Sequence, residues 1–347
     1  MYRKIVCEKL STNFRECTRI MTAPLPKVRT SRRTRRAPCE QSHHVLGCSP
    51  QALNSGSILV KNEWCGINAS DINFTNGKYM PGVKPPFDCG FEAMGKVAKV
   101  GENVTKLKEG DSVVYTSFGA FSEYQEIDAR AAVSLPKIMP EALPLFVSGL
   151  TASIALEQVG EIKKDEIVLV TAAAGGTGSF AVQLAKQAGC HVIGTCSSDE
   201  KVEALKALGC DRPVNYKKED LFQVLRSEYS DGVNVVYESV GASFFDIALN
   251  NLAKKGWSQE GGEKKPSTPI TAKLLGKSAS IRGFFLNDYT REWKPHMAKL
   301  LQMTQEGKLK SLVDQQACKQ FNGLESIPDA IEYMYEGKNI GKVLVKL

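Results

Sequence analysis

Residues 166–189 read EIVLVTAAAGGTGSFAVQLAKQAG, and this stretch decides the fold of the second half of the chain. Residues 166–172 form an almost continuous apolar run, which is typical of a parallel strand covered on both faces. A glycine-rich turn follows at residues 175–178. Apolar residues then recur at helical spacing from 180 to 188, until Gly189 ends the pattern. The stretch therefore predicts a strand, a turn and a helix, in that order.

The glycine-rich turn has the composition of a phosphate-binding site. Gly175, Gly176 and Gly178 let the backbone approach a pyrophosphate, and the positive end of the following helix favours its negative charge. Thr177 lies between these glycines. A tight turn that binds nothing is the alternative interpretation. Because a strand precedes the turn and a helix follows it, the context is that of a dinucleotide site, and we predict that the turn receives a pyrophosphate.

Strands and helices alternate on the C-terminal side of the turn. The pattern predicts strands at 190–197, 212–216, 233–239 and 279–286, with helices at 199–208 and 244–254. This is an α/β fold of the doubly wound, parallel-sheet class. Residues 255–269, where such a sheet has its fifth strand, are polar and rich in Gly and Pro. We predict from this composition that the fifth strand is missing.

The N-terminal side has a different pattern. From 91 to 133, short β-rich runs alternate with glycine-containing turns, at a spacing typical of a small β-barrel. Residues 1–26 and 58–66 also have the character of strands. Residues 27–54 between them are polar, and we predict a disordered insertion there. That insertion contains four side chains of the zinc-binding type, Cys39, His43, His44 and Cys48. Their spacing matches no standard zinc finger, so we predict no metal site.

The composition is that of a packed protein with two domains, since the chain has 347 residues of which 42% are hydrophobic and 24% charged. The net charge is +7, but residues 27–54 hold six basic residues and a single acidic one. The basic character therefore belongs to one segment. Nucleic-acid binding through the arginines of residues 29–36 is the alternative that charge suggests, and no interleaved aromatic residues or known module support it.

Cellular location is also constrained by the sequence. The ten cysteines include no Cys-x-x-Cys pair, which favours reduced thiols. The longest uncharged apolar stretch, residues 142–156, is shorter than a bilayer span, and the N-terminus lacks the apolar core of a signal peptide. We therefore expect a soluble intracellular protein with no membrane span.

The residues after the second Rossmann-type strand bear on which dinucleotide binds. NAD-selective folds place a carboxylate there to hold the ribose 2′-hydroxyl, and residues 195–197 contain none. Lys201, Ser197 and Tyr216 instead supply a cation and two hydroxyls, which suit a 2′-phosphate and predict NADPH. Three alternatives stay open: a capping box formed by Ser197 and Glu200, a solvated Lys201, and Tyr216 as an ordinary strand aromatic.

Six longer stretches carry a family resemblance. They are NASDIN (68–73), KPPFDCGFE (84–92), VTAAAGGTG (170–178), HVIGTCSSDEK (191–201), YESVG (237–241) and GFFLN (283–287). Together they resemble the medium-chain dehydrogenase/reductase superfamily, in its zinc-independent, quinone oxidoreductase-like branch. Where zinc-dependent members carry Cys, His and His ligands, this chain has Asn68, Ala69 and Phe91. The resemblance therefore implies an enzyme without a catalytic zinc.

The resemblance also implies a domain organisation and an activity. A GroES-like β-barrel domain would comprise residues 1–147 with 312–347, and a Rossmann NADP-binding domain residues 148–311. The implied activity is NADPH-dependent reduction of the carbon–carbon double bond of α,β-unsaturated ketones, 15-oxoprostaglandins above all. The cofactor roles carried over fall on Thr177, Ser197, Lys201, Tyr216, Ser239, Phe284, Phe285, Leu286 and Asn339.

Five further expectations complete the sequence-based hypothesis. Tyr79 is the candidate hydrogen-bond donor to the enolate oxygen, and a packed loop aromatic is its alternative. The implied partner is a small lipid enone, and the implied assembly is a homodimer through the sheet edge at 279–286. Relatives carry a peroxisomal address, whereas residues 345–347 lack its serine, which leaves the cytoplasm as the alternative. Because a strand is predicted to be missing, together with the loop after it that bears a tyrosine near the substrate in similar reductases, a catalytically impaired NADPH-binding protein is the alternative function.

Overall fold

The structure is a computed structural model that describes residues 1–26, 52–241, 243–260 and 270–347, without the side chains of 257–260. The predicted insertion with its cysteine and histidine residues lies outside the described residues, apart from its last three positions. The described chain forms two compact units. The first unit comprises Met1–Leu143, Val313–Lys338 and Val343–Leu347, and the second comprises Pro144–Leu312 and Asn339–Lys342.

Strands and helices are numbered along the chain. The strands are β1 (Tyr2–Cys7), β2 (Thr18–Ala23), β3 (Ser57–Gly66), β4 (Phe87–Asp88), β5 (Glu92–Val100), β6 (Ser112–Thr116), β7 (Tyr124–Asp128), β8 (Ala132–Leu135), β9 (Ile167–Val170), β10 (His191–Cys196), β11 (Arg212–Asn215), β12 (Val233–Tyr237), β13 (Leu252–Glu260), β14 (Ser280–Gly283) and β15 (Leu344–Lys346). The helices are α1 (Phe14–Cys17), α2 (Ser70–Thr75), α3 (Val147–Ile154), α4 (Gly176–Gln187), α5 (Asp199–Ala207), α6 (Leu221–Glu228), α7 (Ser243–Asn250), α8 (Ile270–Lys277), α9 (Thr290–Gln305), α10 (Gln315–Gln320) and α11 (Ile327–Tyr335).

The first unit is built mainly from antiparallel strands. Its larger sheet has the order β15-β3-β5-β6-β8, with β7 paired to β3, and a second sheet has the order β2-β1-β4. Ile58 of β3, Val97 of β5 and Val113 of β6 all lie in one apolar core. β-branched residues are favoured there because they pack well on a pleated surface. The β-rich character predicted for the first half of the chain is confirmed.

The second unit contains a six-stranded parallel sheet of the order β11-β10-β9-β12-β13-β14. This is the strand order of the doubly wound dinucleotide fold. Leu169 of β9, Ile193 of β10 and Val236 of β12 are fully buried in its core. Helices on both faces exclude water from such strands, and this explains their continuous apolar sequences.

The prediction that the fifth strand is missing is wrong. Helix α7 ends at Asn250, four residues earlier than predicted, and β13 then pairs in parallel with both β12 and β14. The register with β12 shifts, and Lys255 takes a positive φ of 63° within the irregular part. A Cβ on Gly256 would lie 2.9 Å from the Asn234 carbonyl oxygen, so the glycine permits a close approach of the two strands. Pairing on both edges overrides the weak strand propensity of the segment.

Among the described residues, one helical stretch has the length and apolarity of a membrane span. It runs from Pro140 to Val159, and 78% of its most apolar window is buried inside the protein. A core helix passes the same test of length and composition as a membrane-spanning helix. The burial of this stretch identifies it as part of the protein core.

Candidate nucleotide site and active-site aromatic cluster

The glycine-rich turn links β9 directly to α4. Gly175 is the residue before the helix, and its extended backbone turns the chain into the first helical residue, Gly176. A Cβ on Gly178 would lie 2.4 Å from the Ala172 carbonyl oxygen and 2.8 Å from the Ala173 Cα, so this position requires glycine. The first turn of a helix has N–H groups without intrahelical acceptors, and its end of the helix dipole is positive. The turn can therefore bind an anion.

A C-terminal segment of the chain packs against this turn. The Gly341 N–H donates to the Ala174 carbonyl at 2.8 Å, and Gly341 forms a parallel bridge with Gly175. Asn339, one of the predicted cofactor residues, is buried and donates from Nδ2 to the Gly341 carbonyl at 2.7 Å. Asn339 thus orders the segment beside the turn although it lies more than 160 positions away in sequence.

The other predicted cofactor residues follow the carboxyl ends of the parallel strands. Ser197 follows β10, Tyr216 follows β11 and Ser239 lies two residues after β12. The Tyr216 N–H donates to the Cys196 carbonyl at 3.0 Å, and the Ser239 N–H donates to the Thr171 hydroxyl at 2.9 Å. Because all strands of the sheet run in one direction, these residues gather at one edge, where doubly wound folds bind ligands.

The structure distinguishes the alternatives for Ser197 and Lys201. The N-cap of α5 is Ser198, whose hydroxyl accepts the Lys201 N–H at 3.3 Å, so the capping box of Ser197 and Glu200 is wrong. The alternative of a solvated Lys201 is also wrong, because only 8% of this residue is exposed. A largely buried cation beside a strand end is expected where an anionic ligand binds.

One carboxylate does lie near this strand end, on Asp199. Its two oxygens accept hydrogen bonds from the Lys218 ammonium and, at 3.0 Å, from the Asn215 amide. The hydrogen bond from Lys218 lowers the pKa of Asp199 below its usual value. This carboxylate is therefore engaged by groups of the chain itself, and this agrees with a site for a phosphate rather than a ribose hydroxyl.

Glu238 is a buried residue of this edge that sequence reasoning missed. Its Oε1 atom accepts the Thr171 hydroxyl at 3.2 Å and the N–H groups of Val240 and Gly241 at 2.8 and 2.9 Å. These bonds hold the loop that carries Ser239. A carboxylate directly after a buried apolar strand was the available signal, because a buried charge needs several hydrogen-bond donors.

The segment after β14 carries the predicted residues Phe284, Phe285 and Leu286. The Phe284 ring stacks on Tyr289 with centroids 4.9 Å apart, and the Leu286 carbonyl accepts the Trp293 indole N–H at 3.1 Å. Leu286 is buried while Phe285 is exposed. The segment is thus anchored on both sides of Phe285, which is 38% exposed.

In the first unit, Asn68, which stands where zinc-dependent relatives carry a metal ligand, belongs to a buried polar network. Asn68 donates from Nδ2 to Glu92 Oε1 at 3.0 Å, and its backbone N–H donates to Asp71 Oδ2 at 2.8 Å. All three side chains are buried. Across residues 1–26, 52–241, 243–260 and 270–347, no group of three or more His, Cys, Asp or Glu side chains is arranged to hold a metal ion. The Asn68 side-chain amide and the Glu92 carboxylate instead bind each other.

An aromatic cluster of Phe74, Tyr79, Phe91 and Phe118 lies next to this network. The Phe74 ring contacts Tyr79, Phe91 and Phe118 at centroid distances of 5.4, 4.3 and 4.8 Å. Phe74 is buried, whereas Tyr79 and Phe118 expose 39% and 45% of their surfaces. A partly exposed group of rings is suited to bind an apolar ligand. The Tyr79 ring packs on Phe74 and also reaches solvent, so both interpretations of Tyr79 have support.

Tyr335 lies beside the same cluster. Its hydroxyl donates to the Ala69 carbonyl at 2.8 Å. Burial of the hydroxyl, with smaller contributions from Asp71 and Tyr79, raises the pKa of Tyr335 to about 12. This phenol therefore stays protonated at neutral pH and holds the loop before α2.

Comparison with known proteins agrees with these observations. Residues 54–137 match the alcohol dehydrogenase GroES-like domain, and residues 176–303 match the zinc-binding dehydrogenase family. The chain belongs to the medium-chain dehydrogenase/reductase superfamily, among its quinone oxidoreductase-like members.

Within that superfamily the chain is a homologue of prostaglandin reductase-3. It is 48% identical to the Mus musculus protein of that name over 315 residues, which cover 86% of this chain and 84% of the relative. It is also 41% identical to a probable quinone oxidoreductase of Leishmania amazonensis, over 100% of this chain and 98% of that protein. The crystal structure of Escherichia coli quinone oxidoreductase complexed with NADPH matches with a TM-score of 0.81 and 27% identity, and the match covers 99% of this chain and 100% of that one.

The residues at the carboxyl edge of the parallel sheet fit NADPH. A Cβ is excluded at Gly178, where the helix packs closely on the backbone of Ala172 and Ala173, and Lys201 supplies a buried cation beside Ser197. No carboxylate occupies residues 195–197, where NAD-selective folds carry one.

Proposed function

We propose that this protein is an NADPH-dependent reductase of α,β-unsaturated ketones, with 15-oxoprostaglandins as its principal substrates. The observation that carries the proposal is the partly exposed aromatic cluster of Phe74, Tyr79, Phe91 and Phe118, in which Phe91 stands where zinc-dependent relatives carry a metal ligand. Such a site suits an apolar ketone whose oxygen is polarised by a phenol rather than by a cation. The likeness to prostaglandin reductase-3 supports the choice of substrate.

Each group of residues has a distinct task in this proposal. The turn at Gly175, Gly176, Thr177 and Gly178 holds the pyrophosphate, and Ser197 with Lys201 holds the 2′-phosphate. Ser239, Asn339 and the segment Phe284–Leu286 complete the cofactor site. Bound NADPH supplies a hydride to the β-carbon of the enone.

The Tyr79 hydroxyl donates a hydrogen bond that stabilises the negative charge developing during the reaction. Hydride addition at the β-carbon moves negative charge to the ketone oxygen, which becomes an enolate. A donor placed in advance stabilises this charge without reorganisation of solvent. Phe74 fixes the Tyr79 ring by an edge contact, so that the hydroxyl is held in place before substrate binds.

The activity is tested by following NADPH absorbance with a 15-oxoprostaglandin and with a simple linear enone. We expect oxidation of NADPH with both, little oxidation with NADH, and none with the saturated ketone of the same length. NADPH binding without turnover of any enone would refute the proposal. Turnover of a quinone but no enone would place the protein with the quinone-reducing relatives instead.

The alternative of an impaired NADPH-binding protein had two grounds, the missing fifth strand and the missing tyrosine-bearing loop after it. Because β13 is present between β12 and β14, the first ground no longer applies. The second concerns the loop after β13, and residues 261–269 lie outside the described residues. The sheet that presents the glycine-rich turn is complete in its strand order, and the reductase is the function that we carry forward.

A further inference from the structure

A pair of aromatic rings lies at the carboxyl edge of the parallel sheet, and only one of the two was noticed in the sequence. The rings of Tyr216 and Phe244 meet edge to face, with centroids 5.2 Å apart and planes at 77°. Tyr216 follows β11 and exposes 42% of its surface, whereas Phe244 lies in the first turn of α7 and is half-buried. The pair thus combines an exposed ring with an anchored one.

The two residues are held by different means. The Tyr216 N–H bonds to the Cys196 carbonyl at 3.0 Å, which places the Tyr216 backbone beside the end of β10 and next to Ser197. Phe244 packs against the apolar core of the second unit, where its neighbour Phe245 is buried. The backbone of Tyr216 is therefore fixed, but the position of its ring depends on the contact with Phe244.

The covalent structure of NADPH indicates what this ring binds. The 2′-phosphate and the adenine are attached to neighbouring carbons of one ribose. If Ser197 and Lys201 hold the phosphate, the adenine must lie within a few ångströms of them, where Tyr216 presents its ring. Stacking of a base on an aromatic side chain strengthens binding by about 5- to 150-fold.

We infer that Phe244 is a positioning residue for the cofactor: it holds the Tyr216 ring in the orientation that stacks on the adenine of NADPH. This inference rests on NADPH as the cofactor of the proposed function. Phe244 acts through Tyr216. Its removal therefore weakens binding of the adenine half of the cofactor and leaves the nicotinamide half unaffected.

The test compares ligands that contain different halves of the cofactor. Dissociation constants are measured for NADPH by fluorescence, and for 2′,5′-ADP and reduced nicotinamide mononucleotide by calorimetry. For Phe244→Ala we expect a rise of about 2- to 12-fold for NADPH and 2′,5′-ADP, the usual worth of an aromatic pair. Reduced nicotinamide mononucleotide should bind as it does to the unchanged protein. In turnover, KM for NADPH should rise while kcat stays the same.

Phe222→Ala is the matched control, because Phe222 is a half-buried ring of the same unit that contacts Arg226. It should leave all three dissociation constants unchanged. In a Tyr216→Ala background, Phe244→Ala should add nothing. An equal loss for both halves of the cofactor, or additive losses in the double variant, would overturn the inference.

The outcomes separate this inference from the proposed function. Unchanged NADPH affinity in Phe244→Ala, beside an unchanged protein that binds NADPH and reduces enones, overturns the role of Phe244 alone. An unchanged protein that binds none of the three ligands removes the proposed function and the inference together. A melting temperature for each variant shows whether its fold is intact.

Discussion

The nucleotide turn and the aromatic cluster are made of different chemical groups. The turn at residues 175–178 offers backbone N–H groups at a helix N-terminus, and close backbone contacts exclude a side chain at Gly178. The aromatic cluster offers side chains from separate segments. Phe74 lies in α2, Phe91 directly precedes β5, and Phe118 follows β6. A backbone site can be recognised as a local sequence pattern. A side-chain site becomes visible only when the fold assembles it.

The largest expected effect tests the aromatic cluster. Tyr79→Phe removes one hydroxyl and keeps the ring on Phe74, so the expected loss is in kcat, by about 100- to 1,000-fold, the usual worth of one oxyanion donor. The NADPH dissociation constant should not change. Tyr335→Phe is the matched control, because that hydroxyl already donates to Ala69. If Tyr79 is only a packed loop aromatic, Tyr79→Phe keeps full activity.

The second effect tests the one buried cation predicted for the nucleotide site. Lys201→Ala should weaken NADPH binding by about 10- to 150-fold, as expected for loss of a charged hydrogen bond. NADH binding should change little, since NADH lacks the 2′-phosphate. Lys206→Ala, on the same helix but exposed and paired with Glu203, is the control. Equal losses for NADPH and NADH would show that Lys201 supports the fold rather than cofactor selectivity.

The third effect tests whether the turn depends on its backbone. Gly178→Ala places a Cβ against the Ala172 carbonyl, and strain of about 1–3 kcal/mol is expected. We expect NADPH affinity to fall by about tenfold, which corresponds to 1.4 kcal/mol. Gly276→Ala in α8, where a Cβ would meet open space, should not lower affinity. Fluorescence titration of both variants decides, and an unchanged affinity in Gly178→Ala would contradict the backbone interpretation.

The fourth expected effect concerns the selectivity of the aromatic cluster for the chain length of the enone. Phe118→Ala should lower kcat/KM for linear enones by about fourfold for each chain methylene that loses contact with the ring. The shortest enones should be almost unaffected. Leu275→Ala removes an apolar side chain of α8, which is 83% exposed, and serves as control. A loss of the same size for every chain length would mean that Phe118 has no part in selecting the chain.

The smallest expected effect concerns the pH dependence of the stability of the second unit, outside both sites. His296 is buried, and its Nδ1 shares a hydrogen bond with the Ser153 hydroxyl at 2.7 Å. Burial lowers the pKa of His296; Glu157 opposes this shift less strongly, and the effects of Lys299 and Glu292 are smaller still. Below the unfolded-state pKa of about 6.5, the unfolded chain binds the proton more readily. Stability should therefore fall as pH drops below that value.

Denaturant unfolding followed from pH 7.5 to 5.5 checks this expectation. His296→Gln should remove part of the pH dependence, because the titrating ring is gone. If the two units unfold in separate transitions, only the transition of the second unit should respond. An identical pH dependence in His296→Gln would contradict a contribution from this histidine.

The errors of sequence reasoning share one cause. Residues 255–260 were taken for a loop because Gly256 and polar side chains are poor in strands, yet β13 is stabilised by backbone pairing on both edges. Ser197 was offered as a helix cap, and Ser198 next to it is the cap. In both cases the deciding contacts join residues that are distant in sequence or depend on the backbone direction at a strand end.

The missed residues show the same limit. Glu238 holds the loop of Ser239 through Thr171, which precedes it by 67 positions. Phe244 meets Tyr216 across two separate strand ends. Neither contact can be predicted from the local sequence, because each depends on which strands lie beside one another in the sheet.

The sequence by itself determined the strand, glycine-rich turn and helix at 166–189, the parallel sheet that follows, and the lack of thiolate and imidazole donors at Asn68, Ala69 and Phe91. These features depend on the periodicity and chemistry of neighbouring residues, which the sequence states directly. Only the tertiary structure decided that β13 completes the sheet, that Lys201 is buried, and that four aromatic rings form one cluster. These depend on long-range pairing and burial, because backbone hydrogen bonds and excluded water arise when distant segments meet.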